Sequence, residues 1–153
     1  MRLTTLTTLT TLAALSFATT AALAAIKPEE AIHYRQAIYT VIAWNFSSMA
    51  DMVKGKQPFD KAAFATHAER VADLAPQLIE GFPIGTDRGA KTAARPDVWK
   101  KRGEFEKKMQ AFVSASRELA TTAQGGDEAA MKDQFKTTAA TCKGCHDDFR
   151  NRD

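Results

Sequence analysis

The sequence predicts an all-α protein that folds as an antiparallel four-helix bundle. Helical periodicity occurs in four stretches after residue 24, and no stretch shows the apolar–polar alternation that is typical of a strand. Short glycine- and proline-containing segments separate the stretches, with one longer link, as in known bundles. The chain has 153 residues, of which 44% are hydrophobic and 25% charged. This length fits one domain and excludes catalytic folds that need about 200 residues or more.

Residues 1–24 have the features of a secretory signal peptide. Arg2 supplies a positive start, residues 3–23 carry no charge, and the segment 22–24 (Ala-Leu-Ala) fits the small-x-small cleavage rule. A transmembrane anchor is the alternative interpretation, but the many threonines make this segment only weakly apolar. We therefore expect cleavage near Ala24, a mature bundle of residues 25–153 outside the cytosol, and no membrane segment after cleavage.

The first two predicted helices have clear start and stop signals. The first begins at Pro28, since proline suits the first helical position, and ends at Gly55. The second begins after Asp60, a typical N-cap residue, and ends near residue 75, before Pro76. The stripe of the first helix comprises Ala31, Ile38, Ile42, Asn45, Met49 and Met52, and that of the second comprises Phe64, Ala68, Val71, Leu74 and Ala75.

A long irregular link separates the second helix from the third. Residues 81–95 contain glycines and a proline and predict no regular element. The third helix is predicted from Pro96 to about Ala123, where its stripe repeats with the alternating spacings of four and three that suit a bundle. The glycine pair at 125–126 ends it, and Asp127 caps the fourth helix. The two stripes comprise Val98, Arg102, Phe105, Met109, Phe112, Ser116, Leu119 and Ala123, and then Met131, Phe135, Thr138, Cys142, Cys145 and Phe149.

The charge distribution excludes one class of partner. The formal net charge is +3, from 21 basic and 18 acidic side chains, and no run of five like charges occurs. This mild, dispersed charge does not predict a nucleic-acid-binding surface. Two cysteines and three histidines also leave little room for a zinc site with four protein ligands.

Both cysteines lie in one short motif, Cys142-Lys143-Gly144-Cys145-His146, which is the pattern of c-type haem attachment. Each cysteine sulfur adds to one haem vinyl group and forms a thioether. Because Cys142 and His146 are one helical turn apart, they project from the same face, and the imidazole can then bind the iron. The motif therefore predicts one covalent haem c per chain with His146 as the axial ligand.

The two cysteines allow two other interpretations. A thioredoxin-type disulfide favours a helix N-terminus, whereas this motif lies near the C-terminal end of a predicted helix. A zinc site would require His33 or His67 as its fourth ligand. We interpret both of these histidines as partly exposed residues rather than as a second axial ligand.

The chain resembles cytochrome c′, the class II c-type cytochromes. The resemblance covers the whole mature chain: residues 27–36 match the opening helix of the family, residues 95–99 match the start of its third helix, and residues 142–150 match its end. Class I cytochromes c instead carry the motif near the N-terminus. The resemblance implies a four-helix bundle with one covalently attached haem in the periplasm.

The resemblance also implies roles for individual residues. Arg35 and Gln36 correspond to a pair that lies along the haem and its propionates, and Tyr39 corresponds to the residue that packs over the open face of the iron. Arg150 corresponds to a basic residue near the proximal face, whereas Phe149 replaces a tyrosine that is common in the family, so the phenol hydrogen bond is lost. Further haem contacts are expected in the link, from Phe82, Thr92 and Arg95.

These features predict a gas-binding haem protein. The resemblance implies five-coordinate, high-spin iron that binds NO or CO, with a role in NO handling and electron transfer. The alternative is a dedicated electron-transfer cytochrome with low-spin, six-coordinate iron. An enzyme is not predicted, because a peroxidase or reductase would need a distal acid or base and the sequence indicates no distal histidine.

Two kinds of protein partner are expected. One is a redox partner that the sequence does not identify. The other is a second copy of the chain, since the resemblance implies a homodimer formed through the first two helices. Met49 and Met52 are candidates for that contact, and the alternative places both in the core of the monomer.

Overall fold

The structure, a computed structural model, describes residues 26–151. Its helices are α1 (Pro28–Val53), α2 (Lys61–Leu74), α3 (Asp97–Lys100), α4 (Arg102–Gln124) and α5 (Glu128–Phe149), and a 3₁₀ helix spans Ala75–Gly81. The predicted signal peptide, residues 1–24, lies outside the described residues, so its cleavage stays a prediction. None of the helices between residues 26 and 151 combines the length and the apolar character that crossing a membrane requires.

The four long helices form the predicted bundle. α1 packs against α2, α2 against α4, and α4 against α5. The apolar stripes identified in the sequence meet in one core, in which Phe64, Phe105 and Leu119 are fully or almost fully buried. Met49 and Met52 are 0% and 5% exposed. The expectation that these two methionines contribute to a dimer contact is therefore wrong, because the monomer core already buries them.

The helix ends follow the local signals. Asp60 Oδ1 accepts hydrogen bonds from the backbone N–H groups of Ala62 and Ala63, and Asp127 Oδ1 accepts one from Ala130. These bonds satisfy donors that the first turn of a helix leaves unpaired. Gly126 has a φ of 72°, a left-handed conformation that permits the tight turn from α4 to α5.

The third predicted helix differs from the observed one. Pro96 to Ala123 was expected to be continuous, but Lys101 has φ −114° and ψ 45° and separates α3 from α4. Contacts with the irregular link explain the break: Trp99 Nε1 donates to Pro83 O at 2.8 Å, and Arg102 Nη1 donates to Phe82 O at 2.8 Å. The first bond holds α3 against the link and the second holds the start of α4 against it, on either side of Lys101.

The bundle is open on one side. α1 and α5 each pack on a neighbour but make few direct contacts with each other. Their closest ring contact is the stacking of Phe46 on Phe135, with centroids 4.4 Å apart. Towards the other end of this seam the helices separate, and the rings of Tyr39 and His146 lie 6.4 Å apart. A cavity occupies the space between this part of α1 and α5.

Candidate functional site

A cavity of about 730 Å³ lies among α1, the link, α4 and α5. This volume is within the usual range for cofactor and ligand cavities. Its walls are predominantly apolar and include Ile42, Phe46, Leu78, Phe82, Val98, Phe105, Met109, Phe112 and Phe149. Most of these side chains were predicted as core, because a cavity wall and a core leave the same periodic pattern in the sequence.

The structure brings nine of the ten predicted site residues to this cavity. They are Arg35, Gln36, Tyr39, Phe82, Thr92, Cys142, Cys145, His146 and Arg150. The exception is Arg95, which does not line the cavity. Its Nη2 forms an ion pair with Asp97 Oδ2 at 3.2 Å, so its side chain is directed to the start of α3 instead.

The two cysteines and the histidine of the motif lie in the last two turns of α5. Cys142 is half-buried and Cys145 is buried, both as free thiols, whereas His146 is exposed. Burial raises the pKa of the Cys142 thiol to about 11 and also raises the pKa of Cys145. A reactive dithiol needs the opposite shift, so the site does not fit a thioredoxin-type redox motif.

The other two histidines do not line the cavity. His67 lies on α2 and its Nδ1 is 2.9 Å from Asn45 Oδ1, while His33 is exposed near the start of α1. Across residues 26–151, no three side chains of the metal-binding types come together in a group that could hold an ion. The zinc interpretation therefore has no support from this arrangement.

His146 is suited to metal binding in its neutral form. Desolvation, and then the nearby charge of Arg150, lower the pKa of the His146 imidazole. The neutral ring is the form that binds metals. Tyr39, across the cavity on α1, keeps its proton, because burial raises the pKa of its phenol well above the usual value.

Arg35 is the most highly connected residue of the site. It is 2% exposed, and its Nη1 donates to Gly81 O and Thr86 Oγ1, while its Nη2 donates to Thr86 O and Thr92 Oγ1, at 2.9 to 3.1 Å. Its guanidinium also lies over the ring of Phe82, 4.7 Å from the centroid. All four terminal N–H bonds thus donate to residues of the link, while the expected contact of Arg35 with the haem propionates stays a prediction.

The backbones of α1 and the 3₁₀ helix approach closely beside Arg35. A Cβ atom at Gly81 would lie 2.5 Å from Arg35 Cβ. Gly81 therefore allows the two segments to meet. Gln36, the next residue of α1, holds the other end of the link, since its Nε2 donates to Lys91 O at 2.8 Å.

Two further contacts fix the motif, and sequence reasoning did not identify them. Lys108, on α4, donates from Nζ to Gly144 O inside the motif at 2.8 Å and pairs with Asp148 at 2.7 Å. An isolated bridge joins Ala94 to Arg150, and so ties the end of α5 to the link. Lys108 follows the apolar stripe residue Phe105 by one turn, but nothing local in the sequence relates it to Gly144.

The arrangement fits a covalently attached haem. The thiols of Cys142 and Cys145 and the imidazole of His146 lie on one helix, α5, and line an apolar cavity. Arg150 and Gln36 are polar groups in the same lining. Thioether formation would use the two sulfurs, and the remaining donor of the motif is the imidazole of His146. The donor set and the cavity thus match the chemistry that the motif predicts.

Comparisons with known proteins agree with the site. The family model described as cytochrome c′ matches residues 30–150. A cytochrome c′ from Rubrivivax gelatinosus is 37% identical over 126 residues, which cover 82% of this chain and 98% of that protein. The structure of a cytochrome c′ from Shewanella frigidimarina is similar with a TM-score of 0.80 and 42% identity, over 82% of this chain and 98% of that one.

Several of the similar structures contain a gas, and two of them serve as examples. They are a nitric oxide complex and a carbon monoxide complex of variants of the cytochrome c′ from Alcaligenes xylosoxidans. Each is 35% identical to this chain with a TM-score of 0.76, and each alignment covers 82% of this chain and 98% of the other.

Proposed function

The chain belongs to the cytochrome c′ family, whose members carry one covalently attached haem c, and on that premise we propose that it is a periplasmic protein that binds NO and CO at five-coordinate iron. His146 is the proposed protein ligand, and Cys142 and Cys145 are the proposed thioether positions. The gas complexes of the Alcaligenes xylosoxidans relative support the proposed binding of NO and CO. The uncharged segment at residues 3–23 supports export to the periplasm.

The observation that carries the proposal is the asymmetry of the cavity. One side offers the imidazole of His146, whereas the facing side on α1 offers the protonated ring of Tyr39, 6.4 Å away between centroids. A protonated phenol is a poor iron ligand, so the side that faces Tyr39 has no strong donor. When bound, the haem iron supplies an open coordination position for a neutral diatomic molecule.

The residues that line the cavity determine which small ligands can enter it. Water and anions need hydrogen bonds that the apolar walls do not supply, and they are disfavoured there. NO and CO are neutral and give up no strong hydrogen bonds with water when they enter the apolar cavity, so they are not disfavoured in this way. Arg35 and Gln36 hold the link as one wall of the cavity, and Lys108 holds the motif on α5 against α4. We propose binding and electron transfer rather than catalysis, since Arg35 is committed to the link and Tyr39 keeps its proton.

A specific observation favours a second candidate function. Met109 lines the same cavity, and a thioether is the ligand that low-spin c-type cytochromes commonly use. Coordination by Met109 would make the iron six-coordinate and would suit a dedicated electron carrier. The proposed function and this alternative therefore differ in the spin state of the iron.

Absorption spectra of the purified protein test the proposal. We expect high-spin bands in the ferric and ferrous forms and a large spectral change on addition of CO or NO. The variant His146→Ala should lose the parent spectrum, while His67→Ala, which removes a histidine remote from the cavity, should keep it. Low-spin bands without a response to CO, or a His146→Ala spectrum like that of the parent, would contradict the proposal.

We also propose that the protein forms a homodimer through its first two helices. The resemblance implies this contact, and α1 supports it with an exposed apolar stripe in which Trp44 is 72% exposed, next to Val41 and Tyr34. Residues three, four or seven apart share one helix face, so these side chains form a continuous patch. A large exposed aromatic residue is typical of an interface centre.

The dimer is tested by sedimentation analysis of Trp44→Glu. Loss of a central aromatic residue costs about 2 kcal/mol or more, so the dissociation constant should rise by about thirtyfold. Ile84→Glu is the matched control, because Ile84 is 95% exposed but lies on the link, away from the patch. A monomeric parent protein, or equal dissociation constants in parent and Trp44→Glu, would contradict this proposal.

A further inference from the structure

A second cavity, of about 270 Å³, lies between the 3₁₀ helix and α4. Its apolar lining consists of Ala75, Pro76, Ile79, Met109 and Val113. Three polar side chains, Glu106, Gln110 and Arg117, complete the lining, and all three are exposed. The cavity is therefore apolar inside and borders solvent along the outer face of α4.

Among the residues that the structure describes, Met109 is the one that lines both this cavity and the larger one. It is 5% exposed and is part of the buried core, so its side chain stands between the two spaces. Residues near Met109 on α4 face one cavity or the other: Phe105 and Phe112 line the larger cavity, whereas Val113 lines the second. Methionine is unbranched and has three rotatable side-chain bonds, so it moves aside more readily than a branched or aromatic residue.

We propose that the second cavity is an entry site for small neutral gases and that Met109 is the gate between it and the haem cavity. This inference rests on the proposed gas-binding function. A neutral diatomic molecule loses no hydrogen bond on entering an apolar space, whereas hydrated ions do. Passage then requires that the buried Met109 side chain change its rotamer, and this step limits the rates at which a gas enters and leaves the haem cavity.

A gate has a kinetic signature that a change at the iron does not share. Widening or narrowing the path alters the association and dissociation rate constants by the same factor and leaves the equilibrium constant unchanged. We expect Met109→Ala to raise both rate constants for CO by about threefold to tenfold, which corresponds to about 0.7 to 1.4 kcal/mol in the barrier. Met131→Ala is the matched control, because Met131 is a fully buried methionine that lines neither cavity.

Val113 allows a second variant that does not touch the haem cavity. Val113→Phe should fill the outer cavity and lower both rate constants for CO by a similar factor, with the haem spectrum unchanged. Stopped-flow mixing and flash photolysis of the intact holoprotein with CO give the two rate constants separately. Parallel changes in Met109→Ala and Val113→Phe, in opposite directions and absent from Met131→Ala, support the inference.

Other outcomes would overturn the proposed entry site, and they distinguish its failure from failure of the proposed gas-binding function. Unchanged rate constants in Val113→Phe, or a change in CO affinity without parallel rates in Met109→Ala, would mean that gas enters elsewhere, while the proposed function stands. Conversion of a low-spin parent to a high-spin Met109→Ala variant would identify Met109 as an iron ligand rather than a gate. A parent protein that binds no CO would overturn the proposed function, and the inference with it.

Discussion

Replacing Arg35 by methionine should lower the free energy of unfolding by about 3 kcal/mol or more, because the substitution leaves several buried acceptors without donors. The carbonyl oxygens of Gly81 and Thr86 and the hydroxyl groups of Thr86 and Thr92 all accept hydrogen bonds from the Arg35 guanidinium. The guanidinium is buried, and burial lowers its pKa, yet it remains charged at neutral pH. Methionine retains an apolar stem of similar length but can donate to none of these oxygens.

Two measurements on the holoprotein separate this role from a general packing defect. Chemical unfolding gives the loss of stability, and amide hydrogen exchange should rise within residues 82–94, since these residues depend on Arg35 for their order. Arg102→Met is the matched control: Arg102 also donates to the link, to Phe82 O, but with one hydrogen bond and from a partly exposed position. Arg35→Lys should give an intermediate loss. Equal destabilisation by Arg35→Met and Arg102→Met would show that the link does not depend on the Arg35 network.

The features predicted correctly from the sequence are those with local causes. Asp60 and Asp127 cap their helices through bonds to residues two or three positions away, and the apolar stripes recur at helical spacing. The motif at 142–146 is likewise local, and helix geometry alone places Cys142 and His146 on one face. Such signals are complete within one or two turns, so a single sequence contains all of the information that they need.

The features that were missed depend on residues far apart in the chain. Arg35 bonds to residues 46 to 57 positions away, and Lys108 bonds to a carbonyl 36 positions away. The break at Lys101 has the same kind of cause, since Trp99 and Arg102 are held by carbonyl groups of the link. Helix propensity favours continuity through this position, and tertiary hydrogen bonds override it. The 3₁₀ helix at residues 75–81 follows α2 directly, so the sequence showed Pro76 as a stop but not the tighter helix beyond it.

Replacing Tyr39 by alanine should strengthen CO binding by about tenfold to a hundredfold. Tyr39 lies one turn after Arg35 on α1, lines the cavity, and is the ring that lies 6.4 Å from His146. A gas that reaches the iron on that side must displace this ring. Movement of a packed aromatic ring costs on the order of 1–3 kcal/mol by comparison with overpacked cores, and each 1.4 kcal/mol is a factor of ten in affinity. The same substitution should lower stability, because it enlarges a cavity.

CO titration of the parent and of three Tyr39 variants, to alanine, phenylalanine and methionine, measures this effect. Tyr39→Phe retains the ring and loses only the hydroxyl group, so its CO affinity should stay close to that of the parent. Tyr39→Met places a thioether on the same side and should give six-coordinate, low-spin iron with weakened CO binding, because the gas must then displace a ligand. If Tyr39→Ala and the parent bind CO equally, Tyr39 does not cover the iron. Ile42 would then be the next residue of α1 to test, since it also lines the cavity, whereas Ile38 does not.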